Sequence, residues 1–172
     1  MQPKNIYLSA LGCRLNEAEL EQWRRQFHLA GHRLLAVPER ADVIVLNSCA
    51  VTSEAVRKSR RLLRKLNRDS PDAHVVMTGC YASLKPEEAA GLMGVDLVVG
   101  NADKDLLVPT VLEHLGAGST PTVHTDPQSV PMFTAARTRA FVKVQDGCRN
   151  RCTVCIVTVA RGEERSRPID SL

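Results

Sequence analysis

The sequence predicts an α/β protein built on an open, doubly wound parallel sheet, and three observations predict it. Short apolar runs alternate with segments of helical periodicity from residue 5 to about residue 115, the pattern of strands joined by crossover helices. The runs at 42–46 and 74–78 are almost continuously apolar, as in strands buried on both faces. Three runs end in a small or polar turn that carries a cysteine: Gly12-Cys13, Ser48-Cys49 and Gly79-Cys80.

In chain order, Asn5 to Ala10 reads as the first strand, followed by Leu11-Gly12-Cys13 and a helix from near Asn16. Leu20, Trp23, Phe27 and Ala30 recur at helical spacing and face the core, and Gly31 ends the helix. His32 to Val37 is a second strand and Asp42 to Leu46 a third. A helix over Ser53–Arg68 opens at a capping Thr52 or Ser53. Its Val56, Leu63 and Leu66 face inward, while Arg57, Lys58, Arg60, Arg61, Arg64, Lys65 and Arg68 cover the rest. After a turn at Pro71-Asp72 come a strand over His74–Thr78, a short helix over Pro86–Met93, a fifth strand over Val95–Val99 and a closing helix over Lys104–Leu115. Right-handed crossovers run every strand the same way, so Cys13, Cys49 and Cys80 gather along the carboxyl edge, where such sheets bind ligands. A flavodoxin-like strand order 2-1-3-4-5 makes the three cysteine-bearing strands neighbours. Buried free cysteine is the plain alternative.

The stretch 116–138 is rich in Gly, Ser, Thr and Pro without apolar periodicity and reads as a linker. Three parts result: a sheet domain over 1–115, the linker over 116–138, and the start of a second domain over 139–172. Arg139 to Gln145 is a new strand. It feeds Gly147-Cys148-Arg149-Asn150-Arg151-Cys152-Thr153-Val154-Cys155, a C-x3-C-x2-C loop. Thiolates are soft ligands for iron–sulfur clusters and zinc. Three on one loop can hold a cubane and leave its fourth iron without a protein ligand. Zinc prefers four ligands, and no further Cys or His lies nearby, which favours the cluster. Only 17 residues follow Cys155, too few to enclose it, so the chain is expected to stop just inside its second domain.

With 172 residues and 44% hydrophobic residues the chain can bury a real core. A net charge of +4 permits an anionic partner without demanding one. Met1-Gln2-Pro3-Lys4 runs straight into an apolar strand with no signal-peptide layout, and no apolar run approaches a membrane span. A cytoplasmic protein with no membrane partner is expected, and there six cysteines are more naturally metal ligands than three disulfides.

The combination of Leu11-Gly12-Cys13-Arg14-Leu15-Asn16, Leu46-Asn47-Ser48-Cys49-Ala50-Val51-Thr52, Thr78-Gly79-Cys80-Tyr81-Ala82, the Cys148/Cys152/Cys155 loop and Arg161-Gly162-Glu163-Glu164-Arg165-Ser166-Arg167-Pro168 resembles the methylthiotransferases. These are radical S-adenosyl-L-methionine (SAM) enzymes with two four-iron four-sulfur (4Fe-4S) clusters. All six cysteines match by position. One departure is Val154, where the family usually carries an aromatic residue. The resemblance implies that Cys148, Cys152 and Cys155 hold the radical-generating cluster with SAM on its open iron, at the start of a radical SAM β/α barrel. It implies that Cys13, Cys49 and Cys80 hold an auxiliary cluster that carries or donates sulfur. The remaining barrel strands have no counterpart here, so a chain of this extent is expected to be inactive alone. No side chain is expected as a catalytic acid or base.

Val51-Thr52-Ser53-Glu54-Ala55 and Arg57-Lys58-Ser59-Arg60 are most similar to the branch that methylthiolates C2 of N6-threonylcarbamoyladenosine at position 37 of tRNA, next to the anticodon. Arg161-Gly162-Glu163-Glu164 also resembles the isopentenyladenosine branch, and a third branch modifies a ribosomal-protein aspartate. The implied partners are tRNA, SAM and an electron donor such as flavodoxin or ferredoxin. The basic helix could contact tRNA phosphates, against the plainer reading of a solvated face. Arg161, Arg165 and Arg167 could meet cofactor or RNA. An iron–sulfur or zinc module that transfers electrons without catalysis is the alternative from another class.

Overall fold

A computed structural model of the chain describes residues 2–116, 141–150, 152–153 and 155–169. Five parallel strands form one sheet: β1 (Asn5–Ala10), β2 (Arg33–Leu35), β3 (Val43–Ser48), β4 (His74–Gly79) and β5 (Leu97–Val99), in the order β2-β1-β3-β4-β5. This is the expected order 2-1-3-4-5. Around it lie α1 (Arg14–Leu29), α2 (Ser53–Asp69), α3 (Cys80–Leu84), α4 (Pro86–Ala90) and α5 (Leu107–His114), the last entered through a 3-10 turn at Lys104–Leu106.

The central strand shows why the fold closes on both sides. Val43 and Val45 of β3 join Ile6, Trp23, Phe27, Val76, Leu107 and Val111 in one apolar layer. Ile44 and Leu46 join Leu63, Leu66, Val75, Met77 and Tyr81 in the other. Adjacent residues of one strand thus serve opposite faces, as the pleat requires. Every residue of β3 is buried, which accounts for its nearly unbroken apolar run. Thr52 caps α2, its hydroxyl accepting the Ala55 N–H at 3.1 Å.

Several boundaries differ from expectation. α1 begins at Arg14 and not near Asn16, with Cys13 as its N-cap. β2 stops at Leu35, leaving Val37 exposed ahead of Pro38. α4 ends at Ala90 before Gly91, and Met93 lies outside any helix and is 90% exposed. Cys80 opens a short helix where a loop was expected, because Gly79 adopts φ +97° and turns the chain straight from β4 into α3.

The expected linker lies, apart from Gly116, outside the described residues, as do Arg139 and Val154. Beyond it, residues 141–144 form no strand. The pairing is instead a two-residue antiparallel ladder between β6 (Gln145–Asp146) and β7 (Arg165–Ser166), with α6 (Val157–Arg161) between them. Lys143 and Asp146 are buried, while Val142, Val144 and Gln145 face out. No helix among the described residues is long and apolar enough to cross a membrane.

Candidate metal centre at the sheet edge

The sheet register brings the three strand-end cysteines to one edge. Ser48 of β3 pairs with Gly79 of β4, so Cys49 and Cys80 follow directly on neighbouring strands, whose spacing is about 4.8 Å. Cys13 reaches the same edge from β1, where the Leu11 N–H donates to the Asn47 carbonyl at 2.9 Å. Cys49 and Cys80 are buried, and Cys13 is exposed at the amino end of α1. Gly12, at φ +106°, keeps the turn open: a Cβ there would lie 2.6 Å from the Cys49 Sγ.

All six cysteines are free thiols. Among the described residues no three His, Cys, Asp or Glu side chains converge closely enough to hold a single metal ion. A closed zinc centre, with every thiolate about 2.3 Å from one ion, is not preformed here. A soft three-thiol set at one edge, with glycine backbone in front of it, fits a larger polynuclear group held by thiolates. Cys13, Cys49 and Cys80 could hold one such group and Cys148, Cys152 and Cys155 a second.

The second trio sits on a loop pinned at both ends. The Cys148 N–H donates to the Gly162 carbonyl at 3.1 Å, and the Arg167 N–H donates to the Val144 carbonyl at 2.9 Å. Gly147 takes φ +71°, and a Cβ there would lie 2.0 Å from the Glu163 carbonyl oxygen. Cys148 is half-buried, while Cys152 and Cys155 are exposed.

The two parts are joined by buried ions that sequence reasoning missed. The Glu19 carboxylate, on α1, accepts from Lys104 Nζ at 2.5 Å, Lys143 Nζ at 3.0 Å, Arg161 at 2.8 Å and Asn47 Nδ2 at 2.9 Å. Arg161 also donates to Asp146 Oδ1 at 2.9 Å and to Asn16 Oδ1 at 2.6 Å, and Lys143 pairs with Asp146 at 2.6 Å. These side chains are all at least nine-tenths buried. Burial alone would raise the Glu19 carboxyl, but Lys104, Arg161 and Lys143 overrule it and hold it far below the usual range. Asp146 is likewise held low against burial by its bonds to Lys143 and Arg161. Burial pulls Lys104 down despite Glu19, and repulsion from the Arg161 charge adds to the fall. Arg161 stands above its ordinary value, the pull of Glu19 and Asp146 exceeding the cost of burial.

Arg161 therefore turns inward to the protein and not outward to RNA. Arg167 pairs with Asp105, and Arg165 lines an open cleft of about 730 Å³ beside Ser83, Asn101 and Val159. On α2, Arg60 is held by Glu88 and by the Tyr81 hydroxyl, whereas Lys58, Arg61, Arg64 and Arg68 are exposed and make no ion pair among the described residues. One signal for the network was legible: Asn16 and Glu19 share the stripe of α1 that carries Trp23 and Phe27, and all four are buried.

A family model described as uncharacterised protein family UPF0004 matches residues 5–100. The chain is 38% identical over 170 residues to the threonylcarbamoyladenosine tRNA methylthiotransferase MtaB of Bacillus subtilis, covering 94% of this chain and 38% of the relative. Against the protein of the same name from Aquifex aeolicus it is 35% identical over 174 residues, covering 97% and 42%. Against the tRNA-2-methylthio-N(6)-dimethylallyladenosine synthase of Thermodesulfovibrio yellowstonii it is 27% identical over 180 residues, covering 100% and 41%. The chain spans about two fifths of the length of these curated relatives.

Proposed function

The chain belongs to the UPF0004 family, and from that premise we propose that its protein is a cytoplasmic radical SAM methylthiotransferase acting on C2 of N6-threonylcarbamoyladenosine at position 37 of tRNA. The observation that carries this reading is the joining of two three-cysteine sets by one buried network: Cys13, Cys49 and Cys80 at the sheet edge, and Cys148, Cys152 and Cys155 on the loop that Arg161 ties to that edge. The substrate follows the names of the relatives at 35–38% identity.

In this reading Cys148, Cys152 and Cys155 would hold a 4Fe-4S cluster with SAM, and Cys13, Cys49 and Cys80 a second 4Fe-4S cluster. When bound, the two clusters supply radical generation and sulfur delivery. The chain's own work is placement. Gly12 leaves room for the Cys49 sulfur, Gly79 lets β4 pack closely on β3, Gly147 sets the loop's entry, and Arg161 with Glu19 fixes the loop against the sheet. An electron donor such as flavodoxin or ferredoxin would complete the system.

Two measurements test the proposal. Anaerobically reconstituted full-length protein is expected to bind about eight irons per chain, falling to about four when Cys148, Cys152 and Cys155 are replaced by Ala. In cells lacking the gene, nucleoside mass spectrometry should show tRNA without the methylthio group on threonylcarbamoyladenosine, restored by the parent gene and not by the triple variant. A missing methylthio group on the dimethylallyl nucleoside instead would move the substrate to the other branch.

The exposed face of α2 is the proposed tRNA contact. Changing Arg61, Arg64 and Arg68 together to Glu in the full-length protein should weaken tRNA binding and flatten its salt dependence, by about one unit of log–log slope for each phosphate that is no longer neutralised. Arg60→Glu should do less, because Arg60 is already committed to Glu88 and Tyr81. An unchanged slope in the triple variant would remove α2 from the RNA interface.

A further inference from the structure

We propose that the buried ions beneath the sheet edge tune the Cys13/Cys49/Cys80 site: one uncompensated positive charge, completed by Arg161, raises the reduction potential of the iron–sulfur group held there. This rests on the function proposed above.

The described buried set contains two carboxylates, Glu19 and Asp146, against three cations, Lys104, Lys143 and Arg161. The sheet domain contributes Glu19 and Lys104, which cancel. The excess arrives with the residues beyond 140, so docking of the second part changes the charge beneath the first site.

One asparagine links that charge to a sulfur, and a second ties the backbone just before Arg161 to another. Asn16 Oδ1 accepts from Arg161 at 2.6 Å and lies 3.8 Å from the Cys13 Sγ. Asn101 Nδ2 donates to the Ala160 carbonyl at 2.5 Å and lies 4.0 Å from the Cys80 Sγ. A group bound by three thiolates becomes more negative on taking up an electron. A fixed cation in a poorly screened interior favours that reduced form.

The experiment uses full-length protein carrying Cys148, Cys152 and Cys155 replaced by Ala, so that only the sheet-edge group remains. Dithionite, through the SO2 radical anion it releases on breaking its S–S bond, supplies one electron and ends as sulfite, with no bond made or broken at the cysteines, and electron paramagnetic resonance follows the midpoint. Arg161→Gln or Lys143→Met, each removing the excess charge, should lower the midpoint by a tenfold or larger change in the reduction equilibrium, about 59 mV for a one-electron couple. Asp146→Asn keeps an oxygen for the Gly147 N–H, which donates to Asp146 Oδ1 at 2.9 Å, and adds a charge, so the midpoint should rise. Loosened packing would let in water and move all three variants in one direction. A common direction, or no movement, overturns the inference while leaving the proposed function intact. If the parent binds no iron at the sheet edge, both fall.

Discussion

Glu19→Ala is expected to destabilise the docked protein by about 3–5 kcal/mol, because it leaves buried cations without their counterion. Lys104, Lys143 and Arg161 all address that one carboxylate, and Asp146 alone cannot neutralise three charges. Against a total stability of roughly 5–15 kcal/mol, such a loss is large. Denaturant titration measures it, and a loss below about 1 kcal/mol would show that water reaches the cations and solvates them. Removing all five charged groups for apolar residues of similar volume should be far milder than removing one, since a buried ion set need not stabilise a fold relative to good packing. The network's service is then to fix how the cysteine loop meets the sheet.

The same carboxylate gives the pH dependence a sign. Its folded value lies below the ordinary 4.5, so as pH falls the unfolded chain takes up the proton first. The stability Glu19 supplies is therefore complete above about pH 4.5 and drains away below it. Glu19→Gln should start less stable and lose less between pH 5 and pH 3. An equal acid slope in both proteins would assign the acid loss to other carboxylates.

The parts of this molecule that were legible in sequence are those written locally. β3 and β4 announce themselves because burial on both faces demands unbroken apolar residues, and the cysteine positions follow once strands are parallel. The helix α3 was hidden because Gly79 reads as a turn, and nothing in Cys80-Tyr81-Ala82-Ser83-Leu84 declares where the turn ends. The ion network was hidden for another reason. Glu19 meets partners 85, 124 and 142 residues away, and no local pattern marks a Lys or Arg as bound for burial. Arg161 looked available to RNA for that reason, and only packing shows that its charge is spent inside.

Gly79→Ala should cost roughly 3–5 kcal/mol, from combined backbone strain and overpacking, and should empty the sheet-edge site. Gly79 stands at φ +97°, and its added Cβ would lie 2.2 Å from the Ser48 carbonyl oxygen and 2.7 Å from the Ser48 nitrogen. Both are backbone atoms of β3, the most enclosed strand of the sheet, so no side chain can swing aside. Relief must come from moving β4 away from β3, and that separates Cys80 from Cys49. Gly116→Ala is the control for strain alone: φ is +69°, nothing among the described residues lies within 4 Å of its Cβ, and the left-handed conformation by itself costs about 1–2 kcal/mol. Iron content then separates the two effects. Gly116→Ala should keep about eight irons per full-length chain, whereas Gly79→Ala should retain only the roughly four of the Cys148/Cys152/Cys155 set. Full iron in Gly79→Ala would mean that the spacing of Cys49 and Cys80 does not control the site, and the sheet register would lose its part in the chemistry.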